Sequence, residues 1–586
     1  MSVAETNPRP HFSQQVTPRG RQKPRVMSSI LLRGGTVVDG SGEGSFVADV
    51  TISNGRIQSV GRVPKAEAEL VLDVGGLTVA PGFIDSHSHA EAALLRDPLA
   101  TPKVAQGVTT EIVNNCGFGL FPVRSEAARE AMSGIWTEGE APVFASAAEY
   151  RDALLRQGAA VNVAALIPHG AVRTSVVGAD DRPARDEEIR AMCDLAREAF
   201  RQGAVGISFG LLYAPGCFTP KEEIVSLGRV AAEFGRPSAT LGACPEPAER
   251  VTLSLPLGTL RDPVGVLNGS KGRPLAFHVR NECDGFEQSI LEAIEIGGES
   301  SAAVHISHLK VADPTKWGQV GIALRHIEEA NARGQRVTCD QYPYTAGSSP
   351  FTTLLPPWAL EGGIAQTISR LRNDSARRRI SASLAGDEPI PGWDNLSSRI
   401  GWDGCVVGSA PGLEQWEGKS IADLARSSHR EPHDLLFDLL LTTHCAAIGI
   451  WHQMCEEDVQ TVMRHPAQMI GSDGLHTPGR PHPRLWGTFP RVLGRYVREL
   501  GVLTLEQAIH KMTGKTAATF GLKDRGLIRP GYHADICVFN PDRIADRATW
   551  DEPTLPPDGI VHVICNGVLI MLDGRRTEHR PGDWLS

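Results

Sequence analysis

Several features that mark other classes of protein are missing from this sequence of 586 residues. No apolar run reaches the roughly 20 residues that a membrane-spanning helix requires. The formal charge of −9 and the pI near 6.1 leave no basic excess for a nucleic-acid groove or an anionic membrane surface. The eleven cysteines are scattered singly, as is typical of a reducing compartment. These absences predict a cytoplasmic protein that binds neither nucleic acid nor membrane.

Residues 1–28 have the composition of a disordered leader. Residues 1–26 are polar and basic, Pro and Gly interrupt any helical pattern, and Met27 offers an alternative start. The charged-then-apolar pattern of a secretory signal is missing. Several arginines and a single acidic residue would also fit a transit peptide. Because no clear amphipathic helix accompanies them, we expect a leader.

Short strands with alternating apolar residues flank the central part of the chain. LLRGGTVVDG and ADVTISNGRIQSVG lie near its start, and GYHADICVFN and IVHVICNGVLIML lie near its end. Gly and Asn-Gly turns occur within and between these stretches. We therefore expect residues 29–80 and 525–586 to form one small β-sandwich built from both arms of the chain.

The central residues 81–524 alternate between apolar strands and helical stretches, which is the pattern of parallel β/α units. Eight candidate strands can be counted between residues 78 and 473, and they predict an α/β fold of the TIM (β/α)8 barrel type. Two insertions, at 216–274 and 345–467, are too long for plain loops. Such insertions usually form lids or subdomains.

The sharpest chemical signal is His87-Ser88-His89, directly after the apolar stretch PGFID. Alternate residues of a strand face the same side, so both imidazoles can converge on one point. Barrel enzymes build their active sites at the C-terminal ends of the strands. Two unrelated surface histidines would also explain the pair, but its place at a strand end favours a metal site.

Other candidate metal ligands follow later strands in the same way. Imidazole, thiolate and carboxylate together form a donor set that zinc accepts. Each residue alone has another explanation, as a buried thiol, a core histidine or a helix N-cap. Their shared position at strand ends favours a common site. The candidates are Cys116 after the second strand, His278 after the fifth, His308 after the sixth and Asp473 after the eighth.

Two further histidines are less informative. His305 lies three residues before His308 and should face the opposite side of the strand, so we expect a structural role. His169 follows the third strand in IPHG, where it could support the site or pack in the core.

Motifs along most of the chain, from about Pro81 to Phe539, resemble the D-aminoacylase branch of the amidohydrolase superfamily, the N-acyl-D-amino-acid deacylases. Their order and spacing make a chance match improbable. The leader and the two insertions lie outside the resemblance. The motifs are HSH after PGFID, QGVTTEIVNNCGFG, GISFGLLYAPG, HISHLK, DQYPYTAGS, IGSDG, HPRLWGTFPRVLGRYV and MTGKTAATFGLKDRGLIRPGYHADICVF.

The resemblance implies a role for each matching residue. One zinc ion would be tightly bound, and a second, weaker site would share the thiolate. The strand-eight aspartate would act as general base, and three side chains would bind the substrate carboxylate. The implied residues are Cys116, His278 and His308 for the first metal, His87 and His89 for the second, Asp473 as the base and as a further metal ligand, and Lys310, Arg484 and Tyr342 or Tyr344 for the substrate.

Chemistry supports parts of this assignment without the resemblance. Cyclic-amide hydrolases of the superfamily bridge their metals with a carboxylated lysine on the fourth strand, yet residues 203–216 contain no lysine. A thiolate at Cys116 can supply the missing negative charge. Lys310, two residues after His308, should face the same mouth, and Arg484 can pair with a carboxylate in bidentate geometry.

We therefore expect zinc-dependent hydrolysis of N-acyl-D-amino acids, small-molecule substrates, to a carboxylate and a free D-amino acid. An intervening segment before FHVRNE departs from the family pattern and leaves the substrate preference open. Two alternatives also stay open. One is a related metal-dependent amidase, dipeptidase or carbamoyl hydrolase, and the other is a non-catalytic binding protein on the same fold. Assembly as a homo-oligomer is a further expectation.

Overall fold

A computed structural model describes residues 29–63, 68–125, 128–129, 142–234, 272–388, 390 and 392–586 of the chain. The predicted leader 1–28 lies outside the described residues, as does the greater part of the predicted insertion 216–274. The described strands are, in chain order, β1 (Ser29–Val37), β2 (Phe46–Ser53), β3 (Arg56–Gly61), β4 (Leu70–Asp73), β5 (Thr78–Pro81), β6 (Phe83–Asp85), β7 (Ser88–His89), β8 (Val108–Val113), β9 (Asn162–Pro168), β10 (Gly206–Gly210), β11 (Pro274–His278), β12 (Ala303–Ile306), β13 (Val337–Gln341), β14 (Gly347–Pro350), β15 (Cys405–Ser409), β16 (Ile448–Trp451), β17 (Gln468–Ile470), β18 (Gly474–Leu475), β19 (Ile536–Phe539), β20 (Ile560–Cys565), β21 (Val568–Leu572), β22 (Arg575–Arg576) and β23 (Trp584–Leu585).

The helices follow the strands of the central region and continue through the long insertion. They are Ala93–Arg96, Thr101–Val104, Ala147–Gln157, His169–Val176, Asp186–Arg201, Lys221–Glu233, Phe286–Ser300, Gly321–Ala332, Pro357–Leu360, Gly363–Arg372, Asp374–Ala385, Leu396–Ile400, Ile421–Ser428, Pro432–Thr442, Glu456–Arg464, Arg484–Arg491, Leu505–Met512 and Gly514–Phe520, with a π-helix at Val492–Glu499. Short 3-10 turns lie at Gly216–Phe218, Pro314–Lys316, Phe351–Leu354 and Glu414–Trp416.

Eight parallel strands form the barrel, in the order β6-β8-β9-β10-β11-β12-β13-β17. Each neighbouring pair along this path is parallel. Strands β8 to β11 are buried along their whole length. This is expected of strands that are covered by helices on one side and face a filled interior on the other. The predicted α/β barrel is confirmed.

The helix Asp186–Arg201 shows why the connecting segments pack outside the barrel. Its first turn carries three acidic residues, which stabilise the positive end of the helix dipole. Met192, Ala196 and Phe200 recur at helical spacing and are buried, so one stripe of the helix covers the sheet. In the described part of the chain, no helix is both long enough and apolar enough to cross a membrane.

The barrel closes where its first and last strands meet. β7 pairs in parallel with β18, through Ser88 with Gly474 and His89 with Leu475. The amide of Asp473 donates to the His87 carbonyl over 2.7 Å. Ser86 Oγ donates to the Ile470 carbonyl over 3.0 Å. We call this contact between the β6–β7 and β17–β18 segments the seam, and it brings the H-x-H motif directly against Asp473.

Strands from both arms of the chain join in one mixed sheet of nine strands, in the order β22-β21-β20-β19-β5-β1-β2-β3 with β4 beside β1. Ile30, Val50 and Ile57 from the first arm share an apolar cluster with Ile536 and Ile564 from the second. The two arms therefore build one β-structure, while the predicted boundaries 29–80 and 525–586 stay a prediction. β23 pairs instead with β9 of the barrel.

The insertion 345–467 contains a small antiparallel sheet, in the order β14-β16-β15, and several helices. Most of its buried apolar side chains form one cluster, which includes Phe351, Leu371, Ile380, Leu436 and Trp451 and is joined by Cys283 and Ala312 from outside the insertion. A cluster drawn mainly from one segment makes that segment a subdomain rather than a loose loop. Its strands β14 and β16 end beside the mouth of the barrel, where they contribute to the cleft described below.

Candidate metal centre and substrate cleft

His87 and His89 lie just beyond the first barrel strand, which ends at Asp85. Their Nε2 atoms are 3.5 Å and 3.2 Å from the same oxygen, Asp473 Oδ1. Burial disfavours the protonated imidazole of His87, but attraction from Asp340 and Cys116 outweighs burial and raises its pKa well above 6.5. The pKa of His89 rises to about 9, because the hydrogen bonds that its ring donates to Asp473 and Cys116 exceed the effect of burial. Both rings therefore lie in a strongly negative environment that would equally favour a cation.

Cys116 lies between the histidines, after β8. Its Sγ atom is 3.3 Å from His87 Nε2 and 3.5 Å from His308 Nε2. Burial alone would raise the pKa of the thiol, but the charges of His87 and His308 hold it well below its usual range. The sulfur is therefore poised as a thiolate, which is the form that binds metal.

Gly210 at the end of β10 allows the Cys116 backbone to come this close. A Cβ at Gly210 would lie 2.0 Å from the Cys116 carbonyl oxygen. The fourth barrel strand thus supplies space rather than a side chain at this point. This agrees with the absence of a lysine from residues 203–216.

His278 and His308 complete the group on the opposite side. Their ring centroids are 4.3 Å apart, and both side chains are almost fully buried. Neither ring nitrogen of His278 has a hydrogen-bond partner. A buried polar atom without a partner is costly, unless a ligand satisfies it.

The candidate ligand atoms form three overlapping groups, and within each group they lie within 4.8 Å of one another. The donors are imidazole nitrogens, one thiolate and one carboxylate, the mixture that zinc binds. With the unpartnered nitrogens of His278, this donor set fits zinc. The groups are His87, His89 and Cys116; Cys116, His278 and His308; and His87, His308 and Asp473.

Three residues of the centre have left-handed backbone conformations. Cys116, His308 and Asp473 have φ values of 55°, 35° and 51°. Non-glycine residues in this region cost about 1–3 kcal/mol each, and they concentrate at functional sites. The backbone therefore turns sharply at the end of three barrel strands, and each turn directs a donor side chain into the mouth.

Asp473 connects the metal-ligand cluster to a buried cation. Arg484 Nη1 lies 2.9 Å from Asp473 Oδ2, on the side away from His89. Burial would raise the pKa of Asp473, but the Arg484 guanidinium and His87 hold it well below its usual range. The carboxylate is thus ionised.

Lys310 reaches the same mouth as His308, with its Nζ 2.8 Å from His308 Nδ1. Its ammonium also donates to Glu282 Oε1 over 2.5 Å. Glu282 was not singled out in the sequence, although it ends the FHVRNE stretch that contains His278. Attraction from Lys310 and His278 overcomes burial and holds the pKa of Glu282 below its usual range.

Tyr342 and Tyr344 occupy different environments. Tyr342 lines the cleft, and the Arg484 guanidinium lies 4.5 Å above its ring. Both Tyr342 Oη and Arg484 Nε are buried without a hydrogen-bond partner. Tyr344 does not line the cleft and lies against Arg491, 4.7 Å from the guanidinium. Only Tyr342 is therefore next to Arg484 and the cleft.

Asp340, at the end of β13, is a second residue that sequence reasoning missed. It accepts a hydrogen bond from the His308 amide over 2.6 Å and lies 3.2 Å from His87 Nδ1 and 2.7 Å from His305 Nε2. His305 therefore supports the centre through Asp340. His169 lies 3.0 Å from Glu223 and against Phe209, in the packing environment that was one of its two expected roles.

Ser208 lies in GISFG, which matches the Gly-x-Ser-x-Gly pattern of many serine hydrolases. Here the serine is part of the regular strand β10, and its hydroxyl donates to the Asn114 carbonyl over 2.5 Å. It also accepts from the Gly117 amide over 3.1 Å. Its hydroxyl therefore holds the Cys116 loop in place and is not positioned as a nucleophile.

Comparison with known proteins identifies the relatives of this chain. A family model described as the amidohydrolase family matches residues 70–571. The chain is 35% identical over 557 residues to the D-aminoacylase of Alcaligenes xylosoxydans xylosoxydans, covering 95% of this chain and 97% of that protein.

Solved structures agree with the sequence matches. One is a structure of D-aminoacylase that addresses the functional role of its binuclear metal centre, namely one-metal activation and second-metal attenuation. It matches this chain with a TM-score of 0.77 at 33% identity, over 96% of this chain and all of that chain. Another is the N-acyl-D-glutamate deacylase of Bordetella bronchiseptica, complexed with zinc and a phosphonate mimic of the tetrahedral intermediate. It has a TM-score of 0.76 at 32% identity, over 95% of this chain and 99% of that chain. The chain therefore belongs to the amidohydrolase family, in the branch of the D-aminoacylases and N-acyl-D-amino-acid deacylases that its motifs resemble.

Proposed function

We propose that this chain is a zinc-dependent hydrolase of N-acyl-D-amino acids, which it converts to a carboxylate and a free D-amino acid. The activities of its relatives support the reaction and the D configuration. The observation that carries the proposal is the convergence of six candidate ligands on the barrel mouth, beside a buried Arg–Tyr pair with unused donors. A cytoplasmic location and a homo-oligomeric state are part of the proposal, and the small-molecule substrate is its partner.

Cys116, His278 and His308 would hold the tightly bound zinc, and His87 and His89 would hold a weaker second ion that shares the Cys116 sulfur. Zinc in such a site supplies a Lewis acid that polarises an amide carbonyl and lowers the pKa of water toward about 7. Asp340 would orient His87, since its carboxylate lies at the ring nitrogen that faces away from Cys116.

Asp473 would act as the general base and as a further ligand. Its carboxylate is ionised and faces the same space as His87 and His89. It accepts a proton from the attacking water and then transfers that proton to the nitrogen of the broken amide bond, so that the amine can leave. Arg484 on its other oxygen keeps the carboxylate charged and oriented.

Arg484, Tyr342 and Lys310 would bind the free carboxylate of the substrate. Arg484 Nε and Tyr342 Oη both lack partners, and the two side chains are in mutual contact, which supports both as donors to that carboxylate. Lys310 adds a positive charge next to His308, although it must share its donors with Glu282. This arrangement would fix the scissile amide above the cluster of ligands.

A substrate panel combined with metal analysis tests the proposal. Wild-type protein should hydrolyse N-acetyl-D-amino acids and leave the L enantiomers largely intact. Asp473→Asn should retain most of its tightly bound zinc, because Cys116, His278 and His308 remain, but lose about 100-fold or more in kcat. A strict L preference or a preference for N-carbamoyl substrates would refute the assignment. A zinc-free, inactive wild-type protein would favour a binding protein.

A further inference from the structure

The cleft above the candidate metal centre is bounded by two walls, and each wall contributes several apolar side chains. One wall comes from loops of the barrel, and the other comes from the insertion 345–467. The barrel wall includes Phe118, Leu212, Tyr213 and Leu475, and the insertion wall includes Pro350, Thr353, Leu396, Ile448, Trp451 and Gln453.

Positive charge in this cleft is already compensated. Among the described lining residues, Lys310 is the one Lys or Arg side chain, and Glu282 accepts its hydrogen bond over 2.5 Å. Arg484, behind Tyr342, faces Asp473 at 2.9 Å. The free carboxylate of an N-acyl amino acid would take the donors of Arg484 and Tyr342 that remain. A second carboxylate would find no uncompensated cation among the described residues of either wall.

The polar side chains of the insertion wall are Ser348, Ser349, Thr353 and Gln453, and none of them carries a charge. Ser349 Oγ accepts from Trp451 Nε1 over 2.8 Å and lies 3.1 Å from Thr353 Oγ1. These hydroxyls therefore bond to one another and to the tryptophan. A carboxylate buried against such a wall would lose its hydration without gaining a compensating positive charge, which is costly.

We infer that this enzyme acts on N-acyl-D-amino acids with neutral, mainly apolar side chains and rejects those with acidic side chains. The inference rests on the proposed function and narrows its substrate class. It does not depend on the orientation of the substrate, since the described residues of neither wall offer an uncompensated cation to a side-chain carboxylate.

Initial rates with N-acetyl-D-leucine, N-acetyl-D-glutamine and N-acetyl-D-glutamate test the inference with one constant acyl group. The glutamine and glutamate compounds match in size and differ in charge. We expect kcat/KM to fall in that order, with leucine exceeding glutamate by about 100-fold or more. A value for glutamate equal to or above that for leucine would overturn the inference while leaving the proposed deacylase intact. Hydrolysis of none of the three would instead count against the proposed function.

A charge placed on the insertion wall gives a second test. Thr353 is only partly buried, so an arginine there can be accommodated more easily than at Leu396. Thr353→Arg should raise the glutamate-to-leucine ratio of kcat/KM by about tenfold, and Thr353→Met, long but uncharged, should not. A folded, zinc-loaded Thr353→Arg protein with an unchanged ratio would contradict the inference. If that variant does not fold, the wild-type comparison decides alone.

Discussion

Replacing Asp340 with asparagine tests whether the metal centre depends on a carboxylate outside the candidate ligand set. Asp340 is 1% exposed and contacts His87, His305 and the His308 amide. Asparagine keeps the shape, but it removes the charge and replaces one acceptor oxygen with a donor group. Hydrogen bonds to a charged group contribute about 1.5–3 kcal/mol and neutral ones about 1 kcal/mol, so three weakened contacts should cost about 1.5–6 kcal/mol of stability.

Part of this loss should appear as weaker metal binding, because His87 and His308 would be less firmly oriented. Loss of such outer contacts typically lowers metal affinity about 10- to 100-fold. Competition with a chromogenic chelator measures the zinc Kd, and thermal unfolding with and without zinc measures stability. Asp535→Asn is the matched control, since Asp535 is 5% exposed and contacts Arg525 and the Asn566 amide rather than any candidate ligand. Unchanged zinc affinity in Asp340→Asn would refute the role of Asp340.

Three other predictions concern the substrate, the metal and a buried lysine. Tyr342→Phe should raise the KM for N-acetyl-D-leucine about tenfold, because it removes a donor next to Arg484. Tyr344→Phe should leave this KM unchanged, and equal effects of the two substitutions would contradict the assignment of Tyr342 to substrate binding. Dialysis against a chelator should abolish hydrolysis and lower Tm, and added zinc should restore both. The reason is that a ligand at about 1,000 times its Kd stabilises the folded protein by about 4 kcal/mol. A Tm that does not change with zinc would exclude a resident metal. Burial lowers the pKa of Lys511 from 10.5 to about 7. Between pH 7 and pH 10.5 the unfolded chain therefore binds more protons than the folded one, so the free energy of unfolding should rise with pH over this range. Urea titrations at pH 7 and pH 10 should show that the free energy of unfolding rises less in Lys511→Met than in the wild type. An equal rise in the two proteins would show that Lys511 is not its cause.

The barrel and the positions of its candidate ligands could be predicted because both are consequences of local pattern. Alternation of strands and helices predicts parallel β/α units, and the C-terminal ends of parallel strands share one rim. A histidine, cysteine or aspartate directly after an apolar strand must therefore lie near that rim. His87, Cys116 and Asp473 could be singled out for this reason without knowledge of any contact.

The supporting residues could not be predicted, because their roles depend on distances across the fold. Asp340 stands in DQYPY without a pattern that links it to His87, more than 250 positions earlier in the chain. Glu282 becomes a partner of Lys310 only when β11 and β12 lie side by side. The cleft wall likewise depends on how the sheet of the insertion packs against the barrel, which apolar periodicity does not define.

The seam has a thermodynamic consequence for an ion bound at its edge. His87 and His89 lie on its β6–β7 side, Asp473 lies on its β17–β18 side, and few backbone hydrogen bonds join the two. An ion shared by these residues would cross-link the first and last strands and close a chain loop that spans most of the barrel. Such a link would reduce the entropy of the opened state, much as a disulfide does in a secreted protein. Slow loss of the ion could then limit the lifetime of the folded barrel as well as its activity.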